Sequence, residues 1–451
     1  MNPFFTKFAK DFLSIGLSSF LSMLFSFLRT LLLIREIHGE IYGRFQYFFS
    51  LLVICDFVCT NMDIVIRRYY RENQTLRAEI LSVNIVIKLI VFLVSVLIIS
   101  LYLYYRNVFS SSDSWFGIVV LIFLRIFIGL LKNTFSSSLQ ALSKYRLVNY
   151  VENISNALLL ISVLILSKIF SLQDITLLLW MNVAWVCIIF FGLVTTFYVF
   201  WRESEPFRFV FNQKAFRVGF WNFRGYFLPL LGTNLSGYIK LYLPAVLLGE
   251  NLQFQQIAYF EVTKKIFGVI YKLVPSILLS LISSLSTAKQ DEHFYETWSR
   301  GMFLYFLVNF SFCIFIFFGG PWVFHFYKIQ WNQEISNIIL IFSFGLILGS
   351  WVQANQMLIF ITYTTKLILY SSILRQGAFL IYMMFIFNKI NPTSLAIGIN
   401  GMHIPTIILF VFSVYKNQRN MLYLEKRYFI WTTTFMMLVS SVYIFFRPFV
   451  F

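Results

Sequence analysis

The chain has 451 residues, of which 59% are hydrophobic, 20% aromatic and only 12% charged, about half the charged share of an ordinary soluble domain. So few charges cannot cover so much apolar surface in water, which excludes a soluble enzyme, a nucleic-acid-binding domain and a secreted disulfide scaffold. The net charge of +17 fits basic loops lying against anionic lipid headgroups.

An apolar run of about 20 residues crosses a bilayer as a helix. By that measure an all-α polytopic membrane protein with thirteen spans is expected, at 12–34, 45–66, 79–104, 115–135, 147–167, 175–200, 219–248, 256–287, 300–318, 335–361, 366–388, 394–415 and 428–447. An outer-membrane barrel is excluded, because its strands alternate in short runs of about ten residues. Lys7 and Lys10 precede the first run, which is too long for a signal-peptide core and has no small-residue cleavage site, so it reads as an uncleaved helix. The segment WRESEPFRFVFNQKAFR, residues 201–217, is the longest charged interruption. The expected organisation is an N-terminal six-helix bundle over 1–200, a linker over 201–218, a C-terminal six-helix bundle over 219–418, and a basic loop with an extra helix over 419–451. With the N-terminus in the cytoplasm, cytoplasmic segments carry 20 of the 36 Lys and Arg, the opposite side 7, and the spans 9. Basic loops stay inside, so this imbalance sets the orientation.

Catalytic signatures are missing from the sequence. There is no GxxxxGK[ST] phosphate loop, no HExxH, no GxSxG and no CxxC. Cys55, Cys59, Cys187 and Cys313 all fall in apolar runs, and His38, His293, His325 and His403 are scattered, so no metal set is expected. No cofactor is expected. Short loops leave no room for a catalytic domain, which favours a carrier over an enzyme.

The polar residues inside the spans are the functional clues, since a charge at the bilayer centre costs about 2.5 kcal/mol or more. They recur at helical spacing: Ser18, Ser22, Ser26 and Arg29 in span one; Asp56, Thr60, Asp63 and Arg67 in span two; Arg125, Gly129 and Lys132 in span four. Thr233, Asn234, Gly237 and Lys240 mark span seven, Glu261, Lys264, Lys265, Gly268 and Lys272 span eight, Gln353 and Gln356 span ten, and Arg375 span eleven. Each stripe also has a structural reading, as helix packing by small residues or as lysines that snorkel to the headgroups. Nine Lys or Arg lie within spans against four acids, Asp56, Asp63, Glu152 and Glu261. A cavity lined by Arg29, Arg125, Lys240, Lys265, Lys272 and Arg375 would suit an anionic cargo and disfavour a cationic one. Distances from the span ends are compatible with Arg29 pairing with Asp56.

Several segments resemble one family. REIHGEIYGRFQYFFSLLVICDF, residues 35–57, carries Gly39, Tyr42, Gly43, Arg44 and Phe45 in a pattern similar to the first loop and second helix of bacterial polysaccharide-biosynthesis flippases. IVIRRYYRE (64–72), LQALSKYRLVNYVENISN (139–156) and LGTNLSGYIKLYLPAVLLGENLQFQQIAYFEVTKKI (231–266) resemble further segments of the same family. It is the Wzx-type O-antigen or capsular repeat-unit flippase family, within the multidrug/oligosaccharidyl-lipid/polysaccharide (MOP) exporter superfamily. The chain departs from the pattern at Asn61 and Met62, and at Lys240, where many members place an acid.

The resemblance implies two six-helix bundles around a central cavity that opens alternately to the two sides of the inner membrane. The implied cargo is an undecaprenyl-pyrophosphate-linked oligosaccharide. Its pyrophosphate would meet the cationic residues, its sugars Asn234, Gln353 and Gln356. An H+ or Na+ gradient would drive transport, with Asp56 and Glu261 as coupling carboxylates. A polysaccharide polymerase and a chain-length regulator are the implied protein partners. The alternatives are a drug or small-molecule antiporter of the same superfamily, a lipid II flippase, and a membrane polysaccharide polymerase or ligase.

Overall fold

A chain in hydrocarbon must satisfy every backbone N–H and C=O within itself, so long apolar runs fold as helices. The computed structural model describes residues 21–22, 24–54, 56, 59, 63, 66, 70, 77–106, 113–142, 144–170, 174–203, 238, 241–268, 292–326, 331–362, 366–386 and 389–417. Among them there is no strand. Among the described residues six helices are long and apolar enough to cross a bilayer: Arg77–Tyr105, Ser114–Ala141, Tyr145–Ile169, Asp174–Glu203, Gln333–Val352 and Pro392–Phe410. They coincide with the expected spans three to six, ten and twelve. The expected thirteenth span lies outside the described residues. The chain is an all-helical, multi-pass membrane protein.

Two units divide it, Met1–Ala258 and Tyr259–Phe451. The first contains α1 (24–36), α2 (Gly39–Leu52), α3 (Arg77–Tyr105), α4 (Asp113–Ala141), α5 (Tyr145–Ile169), α6 (Asp174–Glu203) and α7 (Leu243–Glu250). The lipid-facing side of α3 is plain: Leu89, Ile90, Leu93, Val94, Leu97, Ile98 and Leu101 are exposed, while Leu81, Asn84 and Lys88 on its other side are buried. Helix α4 packs along α6. At one end a core of Ile66, Tyr70, Leu81, Phe135, Leu139, Val148 and Phe200 closes the bundle.

Two glycines explain why α2 meets α7 and the turn after it. A Cβ on Gly43 would lie 1.7 Å from the Phe254 carbonyl oxygen, and one on Gly249 would lie 2.1 Å from Cδ2 of Tyr47. Backbone and ring therefore touch where any side chain would collide. Gly43 belongs to the glycine-aromatic pattern of the sequence, and its requirement is this close approach.

The second unit begins within α8 (254–268) and continues with α9 (Glu292–Phe326), α10 (Gln333–Thr362), α11 (Lys366–Ile386), α12 (Pro392–Gly401) and α13 (His403–Asn417). Its core is aromatic: Phe342 of α10 lies 5.6 Å from both Phe260 and Phe267 of α8, and Phe267 meets Phe312 of α9 edge-on at 6.0 Å. Pro321 sits inside α9, whose two halves, Leu307–Ile316 and Phe318–His325, are bent by 51°. Proline removes one N–H and crowds the preceding turn. Helix α12 starts on a capping box, in which the Asn391 side chain accepts from the Ser394 N–H and the Ser394 hydroxyl oxygen accepts from the Asn391 N–H; this satisfies amide groups a helix start leaves unpaired.

Candidate functional site

Three helices of the first unit bring two arginines onto one tryptophan. Arg29 comes from α1, Arg125 from α4 and Trp185 from α6. The Arg29 Cζ lies 5.3 Å from the centroid of the Trp185 ring and the Arg125 Cζ lies 5.0 Å from it. Arg125 also stands 4.7 Å from the ring centroid of Phe49 on α2. Phe45, one turn earlier, tilts against Trp185 at 6.3 Å. Trp185 is buried, and its indole N–H has no hydrogen-bond partner among the described residues.

The two guanidinium groups sit deep among protein atoms yet are only half-buried at their own surfaces. Arg29, Asp56 and Tyr242 all lie within electrostatic reach of Arg125, and Tyr42 within that of Arg29. Sharing one ring keeps the two cations within about 10 Å of each other. At an effective dielectric of about 20 their repulsion is then about 1.7 kcal/mol or more. Two cation–π contacts of roughly 0.5–2 kcal/mol each offset it. The result is a concentration of positive charge held without being neutralised by the ring.

Of the residues expected from the sequence, Arg29, Arg125 and Asp56 are thus brought together. Lys240, Lys272 and Asn234 lie outside the described residues, and Gln353 and Gln356 fall on α10 at positions whose side chains are likewise outside them. In the second unit Glu261 is buried and accepts a hydrogen bond from Lys264, three residues on. Lys265 is half-buried beside them on α8. Arg375 on α11 is half-buried, and its Nε is enclosed with no hydrogen-bond partner among the described residues.

Sequence reasoning passed over Trp185. A signal was available, because tryptophan in membrane helices concentrates at the two interfaces, and Trp185 lies far from both ends of α6. It also left unpaired two charges it had counted. Lys88 on α3 donates to Asp63 Oδ1 at 2.5 Å, to Thr134 Oγ1 at 2.7 Å and to the Leu130 carbonyl at 3.3 Å. All three of Lys88, Asp63 and Thr134 are buried. A third cluster surrounds Glu250 at the end of α7: its carboxylate accepts from the Tyr47 hydroxyl at 2.6 Å, from the Tyr102 hydroxyl and from Arg106 Nη2 at 2.5 Å. The Glu250 carboxylate holds the exposed Arg106 guanidinium further up than its ordinary value. Among the described residues no group of three or more His, Cys, Asp or Glu could hold a metal ion.

No protein-family model and no curated protein sequence matches the chain. Solved structures do. A lipid II flippase, MurJ, in an inward closed conformation, superposes with a TM-score of 0.69 at 14% identity, covering 97% of this chain and 99% of that one. An inward-facing multidrug resistance MATE-family transporter of the MOP superfamily gives 0.61 at 14% identity, over 90% of this chain and 96% of that one. A MOP-superfamily transporter from Pyrococcus furiosus, described as having a binding pocket of reverse polarity, gives 0.56 at 12% identity, over 90% and 95%. The chain has the fold of the MOP-superfamily transporters. At these identities the likeness is one of fold, and the residues of the site have to carry the rest.

Proposed function

We propose that the protein is a flippase that moves an undecaprenyl-pyrophosphate-linked oligosaccharide repeat unit, of O-antigen or capsule, from the cytoplasmic to the periplasmic leaflet of a bacterial inner membrane. The observation that carries this reading is the pair Arg29 and Arg125, two accessible cations stacked on one buried ring inside a membrane unit. Even with Asp56 within reach of Arg125, the pair carries an excess of positive charge that an anionic cargo would answer. A phosphate oxygen about 4 Å from each gains about 4 kcal/mol per contact at an effective dielectric of about 20. Guanidinium presents its N–H groups in a fork that fits phosphate oxygens. A cationic drug would meet the reverse balance, so the antiporter alternative is disfavoured at this site.

The sugars would be bound by hydrogen-bonding side chains, for which Asn234, Gln353 and Gln356 are assigned, with Lys240, Lys265, Lys272 and Arg375 extending the cationic lining. Energy would come from an H+ or Na+ gradient, with Asp56 and Glu261 as the coupling carboxylates. Asp56 suits the role because it lies within electrostatic reach of Arg125. The two six-helix bundles over 1–200 and 219–418 would alternate between inward and outward openings, the N-terminus staying in the cytoplasm. A polysaccharide polymerase and a chain-length regulator would receive the product.

The test is deletion of the gene in its native host. Single repeat units held on undecaprenyl pyrophosphate and inaccessible from the periplasm, with surface polymer lost, are the expected result. Complementation with R29A or R125A should fail despite normal insertion, while R29K and R125K restore part of the polymer. An intact surface polymer refutes the reading. Single units that reach the surface but never polymerise would assign the protein to the polymerase class instead.

A further inference from the structure

Trp185 is more than a wall of the site. It lies eleven residues into α6 and eighteen before its end, about 16 Å from the nearer terminus at about 1.5 Å per residue. That depth takes it out of the interfacial belt where tryptophan usually anchors a helix. It is only 4% exposed, yet its indole N–H, a group that can only donate, has no hydrogen-bond partner among the described residues. Both guanidinium groups contact its ring, from two different helices.

A protein that must keep two arginines close has two ways to hold them. A carboxylate between them pins both but cancels charge and competes with any anionic cargo. An aromatic ring attracts both through its quadrupole, carries no net charge and takes up no guanidinium N–H as an acceptor would. Here a ring serves, with the acid Asp56 also within reach of Arg125.

We infer that Trp185 is a positioning residue that sets cargo specificity: its ring holds Arg29 and Arg125 as a preorganised pair that suits a pyrophosphate rather than a single phosphate. This rests on the flippase reading and deepens it. A monophosphate satisfies one guanidinium and leaves its neighbour's charge unanswered. A pyrophosphate offers oxygens and charge to both. Loss of the ring lets the two cations move apart, so the second phosphate loses its partner first.

The measurement is the affinity of the purified full-length chain for undecaprenyl pyrophosphate and for undecaprenyl monophosphate in the same detergent. The ratio of the two is the readout, since general damage to the fold weakens both lipids alike. The unaltered chain is expected to prefer the pyrophosphate. Trp185→Leu should weaken pyrophosphate binding about ten-fold, equivalent to about 1.4 kcal/mol, and monophosphate binding by less than about three-fold. Trp185→Phe, which keeps a ring and loses the N–H, should hold the pyrophosphate within about three-fold of the unaltered chain. Trp185→Met serves as the ring-free variant should the leucine variant fail to fold. A ratio unchanged without the ring, or lost as fully with phenylalanine as with leucine, overturns the inference alone. An unaltered chain that binds neither lipid refutes the flippase reading, and this inference with it.

Discussion

Lys88 to Met is the substitution with the largest expected effect on stability. It removes an ammonium that donates to Asp63, Thr134 and the Leu130 carbonyl, and it takes that ammonium from a carboxylate that is 2% exposed. Removing one partner of a buried ion pair costs roughly 3–5 kcal/mol, because the remaining charge is left in a low dielectric. In a unit of this size each kcal/mol moves the unfolding midpoint by about 2–4 °C, so K88M should lower it by about 6–20 °C. T134V removes only one of the three acceptors and should cost about 1 kcal/mol. The double variant D63L/K88M, which replaces both charges by apolar groups, should recover most of the loss. The assay is thermal unfolding of the purified full-length chain in one detergent, followed by a thiol-reactive dye. Cys59 is a buried reporter in place, its Sγ lying 4.0 Å from the Lys88 carbonyl oxygen. A K88M midpoint unchanged, or a double variant as unstable as K88M, would refute the view that this pair is a desolvated structural tie between the second, third and fourth spans.

Three further outcomes are expected. G43A should block assembly of α2 against the turn after α7, because its Cβ would fall 1.7 Å from the Phe254 oxygen, whereas G129A meets nothing within 4 Å and should leave the midpoint unchanged or slightly raised; yields of folded protein on gel filtration separate the two. E250Q should lower the midpoint by about 1–3 kcal/mol equivalent, since Tyr47, Tyr102 and Arg106 all lose a charged acceptor, and Y47F should cost less. R375M should raise stability by about 1–3 kcal/mol, because the enclosed Nε has no hydrogen-bond partner and an unsatisfied buried donor is costly; the same variant should lose transport in the complementation assay. Stability lost on R375M would show that the guanidinium serves the fold instead.

The stripes of the sequence had different fates for a physical reason. Arg29, Arg125 and Asp56 stood out because a charge inside an apolar run is costly wherever the helix is placed, and that cost is legible from the run alone. The link between Glu261 and Lys264 is legible too, as neighbours on one helix face three residues apart. The glycine-aromatic pattern at Gly39–Phe45 announced a constraint but not its partner; only the approach of Phe254 and Gly249 explains it. Lys88 and Asp63 were counted as span charges, but nothing in their local sequence names the other, or Thr134, as the answering group.

By itself the sequence determined that the chain is helical, that it crosses the membrane many times, and that its spans carry more positive than negative charge. Each of these follows from local chemistry: the backbone must pair within its own helix in lipid, and apolar length is read residue by residue. What only the tertiary structure decided is which charges meet. The rotation of each helix about its axis and the order of helices across the bundle are set by packing over long sequence separations. They put Trp185 of α6 under arginines from α1 and α4, a meeting that no periodicity within one span can encode.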